Sequence, residues 1–138
     1  FIKQYRAVIA GGPDEALPAE GTLRDHLFKD SRKGRVFPVS RPRKGVKEAV
    51  LEYRISASAP DGSTSLADIT LHTGRTHQIR VHMKAIGHPL LGDFLYNPDY
   101  RFIGRQALHS YTVAFRHPIT GEAMEFTAPM PEDFSFFY

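Results

Sequence analysis

The sequence predicts a chain of antiparallel strand pairs gathered around one short helix. Three observations carry this reading. Apolar and polar residues alternate with period two in several stretches of six to eight residues, the pattern of half-buried strands. Turn sequences, Asp61-Gly62 and His117-Pro118-Ile119-Thr120-Gly121, separate two pairs of such stretches. Between the pairs, Arg75 to Ile86 places Ile79, Met83 and Ile86 at helical spacing.

Taken in order, Tyr5, Ala7 and Ile9 alternate with Arg6, Val8 and Ala10, so the chain opens in a strand that Gly11-Gly12-Pro13 ends. Gly21 to Asp30 is a short segment read as helix or turn, with Leu23 and Leu27 on one side. Arg32 to Lys47 is the most basic stretch, interrupted by Pro38, Pro42 and Gly45, and Val36-Phe37 within it reads as a brief edge strand. Ala49 to Ser56 is a strand that pairs across Asp61-Gly62 with Ala67 to Leu71. His88 to Asp93 turns the chain. Phe94 to Gly104 reads as irregular surface, with Phe94, Tyr96, Tyr100 and Phe102 packing on the sheet or stacking on bases. Leu108 to Phe115 and Ala123 to Ala128 form a second pair, and Phe134, Phe136, Phe137 and Tyr138 make an apolar tail that needs a surface to dock on.

At 138 residues and 41% hydrophobic content the chain has one modest core and reads as one structural unit. A formal charge of +3 and a sequence pI near 9.3 permit a polyanionic partner without demanding one. The absence of cysteine excludes disulfides, thiolate metal sites and a cysteine nucleophile, in keeping with a cytoplasmic protein. No apolar run reaches membrane-spanning length.

The stretch Leu71 to Asp93, LHTGRTHQIRVHMKAIGHPLLGD, concentrates the chemistry. A strand runs into Thr73, Gly74 takes the positive φ of a reversal, and Thr73 or Thr76 caps a helix from Arg75 to Ile86. Gly87 suits the left-handed position after that helix, and Pro89 stops it. His77, Arg80 and Lys84 form a stripe, and Arg75, His77 and Arg80 beside the helix start suit an anion. A solvated helix face is the bland alternative, and the better one for Lys84. Arg80, midway along the helix beside Ile79 and Val81, calls for a carboxylate that the sequence does not identify. In the basic stretch, Arg41, Arg43 and Lys44 read either as a solvated loop or as a phosphate-tracking arm.

Other chemistries find little support. His77 and His82, five apart, point away from one another around a helix and cannot share a metal, and no metal site is expected. No serine sits in a nucleophile elbow. Asp25, Asp61, Asp93 and Asp99 read as turn formers.

LHTGRTHQIRVHMKAIGHPLLGD resembles the signature of the RluA-type pseudouridine synthases, which isomerise uridine to pseudouridine in structured RNA. KQYRAVIAG, from Lys3 to Gly11, and ALHSYTVAFRHPITGEAMEFTAPMPEDF, from Ala107 to Phe134, extend the resemblance over nearly the whole chain. It implies an α+β fold, a mainly antiparallel mixed sheet flanked by helices, as one portion of the family's catalytic fold. It implies that Tyr5 packs on the target uracil and is a candidate base for the C5 proton, and that Arg80 pairs with the nucleophilic aspartate. No metal or organic cofactor is implied, and the implied partner is ribosomal or transfer RNA. Arg75, His77, Lys84, Arg41, Arg43 and Lys44 are left as RNA-binding candidates.

The chain departs from the family at one point. The nucleophilic aspartate of the family lies in an HRLD motif before the strand that bears the tyrosine, and no HRLD occurs here. Arg24-Asp25-His26 has similar residue types but follows Tyr5. The expectation is a C-terminal portion of the catalytic domain, inactive alone, whose open sheet edge invites self-association. A noncatalytic RNA-binding module and a protein-interaction domain are the alternatives.

Overall fold

The computed structural model describes residues 1–97 and 105–131. Seven strands form one sheet: β1 (Ile2–Ala10), β2 (Glu20–Asp30), β3 (Arg35–Val39), β4 (Val46–Ser58), β5 (Thr64–Leu71), β6 (Leu108–Arg116) and β7 (Ala123–Thr127). Their order is β3-β2-β4-β5-β1-β6-β7, and every neighbouring pair is antiparallel. One helix, α1 (Gln78–Ala85), accompanies the sheet among the described residues. The class is α+β with a mainly antiparallel sheet, as expected; among the described residues every strand pair is antiparallel and one helix packs on the sheet. Tyr100, Phe102 and the aromatic tail from Phe134 lie outside the described residues, as does Asp99.

Register follows from the alternation. Tyr5 pairs with Ile69, which pairs with Tyr53, and Leu71 pairs with Leu51. These residues share one face with Ala7, Ile9 and Ala67, and onto it Ile79 and Met83 of α1 pack with Leu17 and Leu90. Fully burying Ile79 and Met83 supplies about 1.5–3 kcal/mol each, enough to hold a helix of two turns that would not persist alone. On the opposite face Val8 and Leu66 form a smaller cluster with Leu91 and Ala107.

The expected hairpin across Asp61-Gly62, the edge strand at Val36-Phe37 and the pair β6–β7 are all present, with Asp61 accepting the Ser63 N–H in its turn. Pro38 is tolerated because β3 lies at the sheet edge. Gly21 to Asp30 is the first correction, since it is not helix or turn but most of the long strand β2. Asp25 therefore sits in a strand, beside Leu23 and Leu27 on the helix-facing side, and its Oδ2 lies 2.5 Å from Nδ1 of the buried His82.

The second correction is the helix start. It begins at Gln78, and its N-cap is His77 in the left-handed conformation (φ 53°), with no side-chain cap. Neither Thr73 nor Thr76 caps it, and Gly74 is not at positive φ. The Gln78 side chain reaches back instead. Its Oε1 accepts the Arg75 N–H (2.9 Å) and the Thr73 hydroxyl (2.8 Å), while Nε2 donates to the Val50 carbonyl (3.0 Å). A tertiary bond to β4 thus sets where the helix begins. At the other end Gly87 takes φ 85°, as the spacing predicts.

Candidate active-site cleft

Tyr5 on β1 and Arg80 on α1 border one cavity of about 250 Å³, with Arg75 and His77 from the turn before the helix. Leu71, Ile79 and Leu108 give it apolar walls. Tyr5 enters it from the sheet face on which α1 packs, half-buried against the core cluster that holds Ile79 and Met83. The helix supplies Arg80 because the apolar residues on either side of it, Ile79 and Val81, are both buried.

The carboxylate that Arg80 requires is Asp93. Arg80 Nε donates to Oδ2 at 2.8 Å and Nη2 to Oδ1 at 2.7 Å, a fork of two parallel bonds. The Arg80 side chain is 10% exposed and that of Asp93 is fully buried, so the pair is desolvated. Nη1 has no bond to another described residue, which leaves one edge of the guanidinium for a further acceptor. Asp93 also organises the following turn, taking the Leu95 N–H on Oδ1 (3.2 Å) and the Asn97 N–H on its carbonyl (2.7 Å).

That turn places Tyr96, whose buried ring lies 5.1 Å from the Arg80 guanidinium carbon and 5.2 Å from that of Arg35. Its hydroxyl accepts the Val36 N–H (2.8 Å) and lies 2.9 Å from Nδ1 of His77. A buried phenol has one hydrogen to give, and His77 Nδ1 is the acceptor in reach. Nδ1 is then bare and the imidazole carries its proton on Nε2. Burial pushes the His77 pKa below its usual 6.5, and the positive charges of Arg80 and Lys29 push it further down, against the opposing pull of Asp93. The cleft is therefore bordered by an imidazole held neutral beside a fixed cation.

The structure brings together Tyr5, Arg75, His77 and Arg80. It does not bring the other candidates to the cleft: Lys84 is exposed near the end of α1, and Arg41, Arg43 and Lys44 lie on the exposed β3–β4 loop. Arg43 there rests 4.4 Å over the Phe28 ring. Asp93, Gln78 and Tyr96 were not singled out as site residues. Asp93 looked like a turn former, and it does form a turn, so nothing local marked its second role. A larger open basin of about 440 Å³, which Tyr5 also borders, is lined by charges of both signs, with Arg6 paired to Asp68 at 3.0 Å and Arg54 to Asp68 at 3.8 Å. No cluster of three or more metal-ligating side chains occurs among the described residues. No described helix is long and apolar enough to cross a membrane.

The family model described as RNA pseudouridylate synthase matches residues 1–85. An uncharacterized RNA pseudouridine synthase of Chlorobaculum parvum is 39% identical over 150 residues, covering 95% of this chain and 44% of that protein. The ribosomal large subunit pseudouridine synthase D of Zymomonas mobilis is 35% identical over 145 residues, covering 99% and 44%. Among solved structures, human RNA Pseudouridylate Synthase Domain Containing 1 superposes with a TM-score of 0.76 at 27% identity, over 94% of this chain and 55% of that one. The chain thus spans about half the length of the relatives it matches.

Proposed function

Since the chain belongs to the RNA pseudouridylate synthase family, of the RluA type, we propose that it forms the base-holding part of an enzyme that isomerises uridine in RNA. The observation that carries this is the single cleft shared by Tyr5 and Arg80. In the reaction an aspartate attacks the target nucleoside, the base leaves its N1 linkage, turns within the pocket and rejoins through C5. The C5 proton must then depart.

Each side chain has a place in that sequence. The Tyr5 ring offers an apolar face on which a uracil stacks, and its hydroxyl is the candidate acceptor of the C5 proton. Arg80, already anchored by Asp93, presents Nη1 to the nucleophilic aspartate and so keeps that carboxylate ionised. Arg75 and His77 border the cleft mouth, where a uridine extruded from folded RNA enters. The family's nucleophile lies in an HRLD motif, which the 138 residues do not contain, and Tyr5 and Arg80 are the reacting-site groups that they contribute.

Relatives named for the large ribosomal subunit favour ribosomal over transfer RNA as the partner. We place the protein in the cytoplasm with its substrate, and self-association of the isolated chain at the open β7 edge, where Phe126 is exposed. The deciding experiment is tritium release from RNA labelled at uridine C5, comparing this chain with one extended through its natural upstream sequence. Release by the extended protein alone is expected. Release by neither, on a broad pool of unmodified RNA, would favour a noncatalytic RNA-binding module.

A further inference from the structure

We propose that Lys29, Lys47 and Arg75 form a subsite for one backbone phosphate of the RNA, a few nucleotides along the strand from the target uridine. The inference rests on the reading of the chain as part of an RNA enzyme, which names the source of the anion. A cavity of about 160 Å³, separate from the cleft of Tyr5 and Arg80, has Leu27 and Val36 in its lining and these three cations around it. They come from three elements: β2, β4 and the turn before α1.

Register explains the grouping. Lys47 pairs with Leu27 across β4 and β2, and Lys29 pairs with Val36 across β2 and β3, so both lysines share the sheet face that carries Tyr5 and α1. Their aliphatic stems cover Leu27 and Val36 while the ammonium groups stay in water. No carboxylate borders the cavity among the described residues. The acids nearest it in sequence are engaged elsewhere, Asp30 with the N–H groups of Arg32 and Lys33, Glu48 with Arg24 at 3.0 Å on the other face, and Asp25 with His82. Neither lysine makes an ion pair among the described residues. Nearby cations differ, since Lys33 and Arg43 lie over the rings of Phe37 and Phe28.

Arg75 connects the subsite to the cleft, because it borders both cavities. Its Nε is fixed on the Glu48 carbonyl at 2.9 Å, which orients the guanidinium and leaves the Nη groups for a phosphate oxygen. The charge of Lys29 is felt at His77, so the two cavities share one positive field. Distance sets which phosphate is bound. From Tyr53, in register with Ile69 and Tyr5, to Lys47 the strand advances roughly 20 Å between Cα positions, so the two lysines stand beyond Arg75 as seen from the ring that holds the target base.

The test is binding of a short single-stranded RNA by this chain, measured as potassium chloride is raised. Lys29→Gln with Lys47→Gln is expected to weaken binding several-fold at low salt and to flatten the log–log salt dependence by about 0.7, the contribution of one neutralised phosphate of a single strand. Lys29→Arg with Lys47→Arg restores both. Arg24→Gln with Arg54→Gln removes the same charge from the opposite face and keeps the wild-type slope. Equal losses in the two glutamine pairs would reduce the effect to net charge and overturn the subsite while leaving the RNA reading intact. Absence of RNA binding by the unaltered chain would overturn both.

Discussion

The Tyr96 hydroxyl lies 2.9 Å from Nδ1 of His77 and takes the Val36 N–H at 2.8 Å, so one buried phenol ties the edge strand β3 to the first residue of the cleft mouth. Because the folded state holds His77 neutral more firmly than the unfolded state does, the unfolded chain binds more protons just below the usual pKa of 6.5. Stability then falls as pH drops through that value toward the depressed one, and is flat above it as far as this group is concerned. His77→Gln should lose that part of the acid slope in urea titrations taken on either side of pH 6.5. Nitrogen NMR should find the proton on Nε2, and Tyr96→Phe should release the second tautomer. A His77 that titrates at or above the usual value would contradict the arrangement.

Arg80 and Asp93 supply a second expectation. Removing one partner of a buried pair leaves the other charge without solvent or counterion, at a cost of about 3–5 kcal/mol. Asp93→Asn and Arg80→Met should each approach that loss in chemical denaturation, a large fraction of the roughly 5–15 kcal/mol available to a domain. Arg80→Lys should also fall well short of wild type, since an ammonium cannot reproduce the fork at 2.7 and 2.8 Å. Losses below about 1 kcal/mol would mean that the pair is solvated.

Legibility in the sequence tracked how local each cause was. Strands β1, β4, β5 and β6 announce themselves because each sets an apolar residue at every second position, although β1 and β5 bury both faces and in β6 the buried residue is Thr112. The helix start did not, because Thr73, Gly74 and Thr76 offer ordinary local signals while Gln78 answers to Val50 on another strand. β2 was hidden by Asp25, a carboxylate on the buried side whose partner lies 57 residues away. The site shows the same division. Tyr5 and Arg80 came from motif resemblance, whereas Asp93 and Tyr96 act through contacts that no spacing rule encodes.

Two glycines test the revised helix start directly. Gly74 is not at positive φ, and a Cβ there meets nothing within 4 Å. Gly87 has equal space but φ 85°. Gly74→Ala should therefore lie within about 0.5 kcal/mol of wild type. Gly87→Ala should cost about 1–2 kcal/mol through backbone strain alone. Thermal melts of the two variants, run side by side, would show similar losses if Gly74 had the positive φ that the sequence signals suggest.

The contact between Asp25 and His82 should behave as a coupled pair. His82 is fully buried and its Nε2 has no partner among the described residues, so there Nδ1, facing the Asp25 carboxylate, is the imidazole's single satisfied polar atom. Asp25→Ala strands both nitrogens, which costs about 1–3 kcal/mol. His82→Leu removes the imidazole and spares that penalty, leaving a half-exposed carboxylate that water can reach. In the double variant nothing polar is left buried at this point. The pair should then lose less stability than the two single losses added together, with a coupling of about 1 kcal/mol or more in a double-mutant cycle. Simple additivity would mean that β2 and α1 are joined by the apolar packing of Leu27 and Val81 alone, and that Asp25 is a solvated residue of a strand.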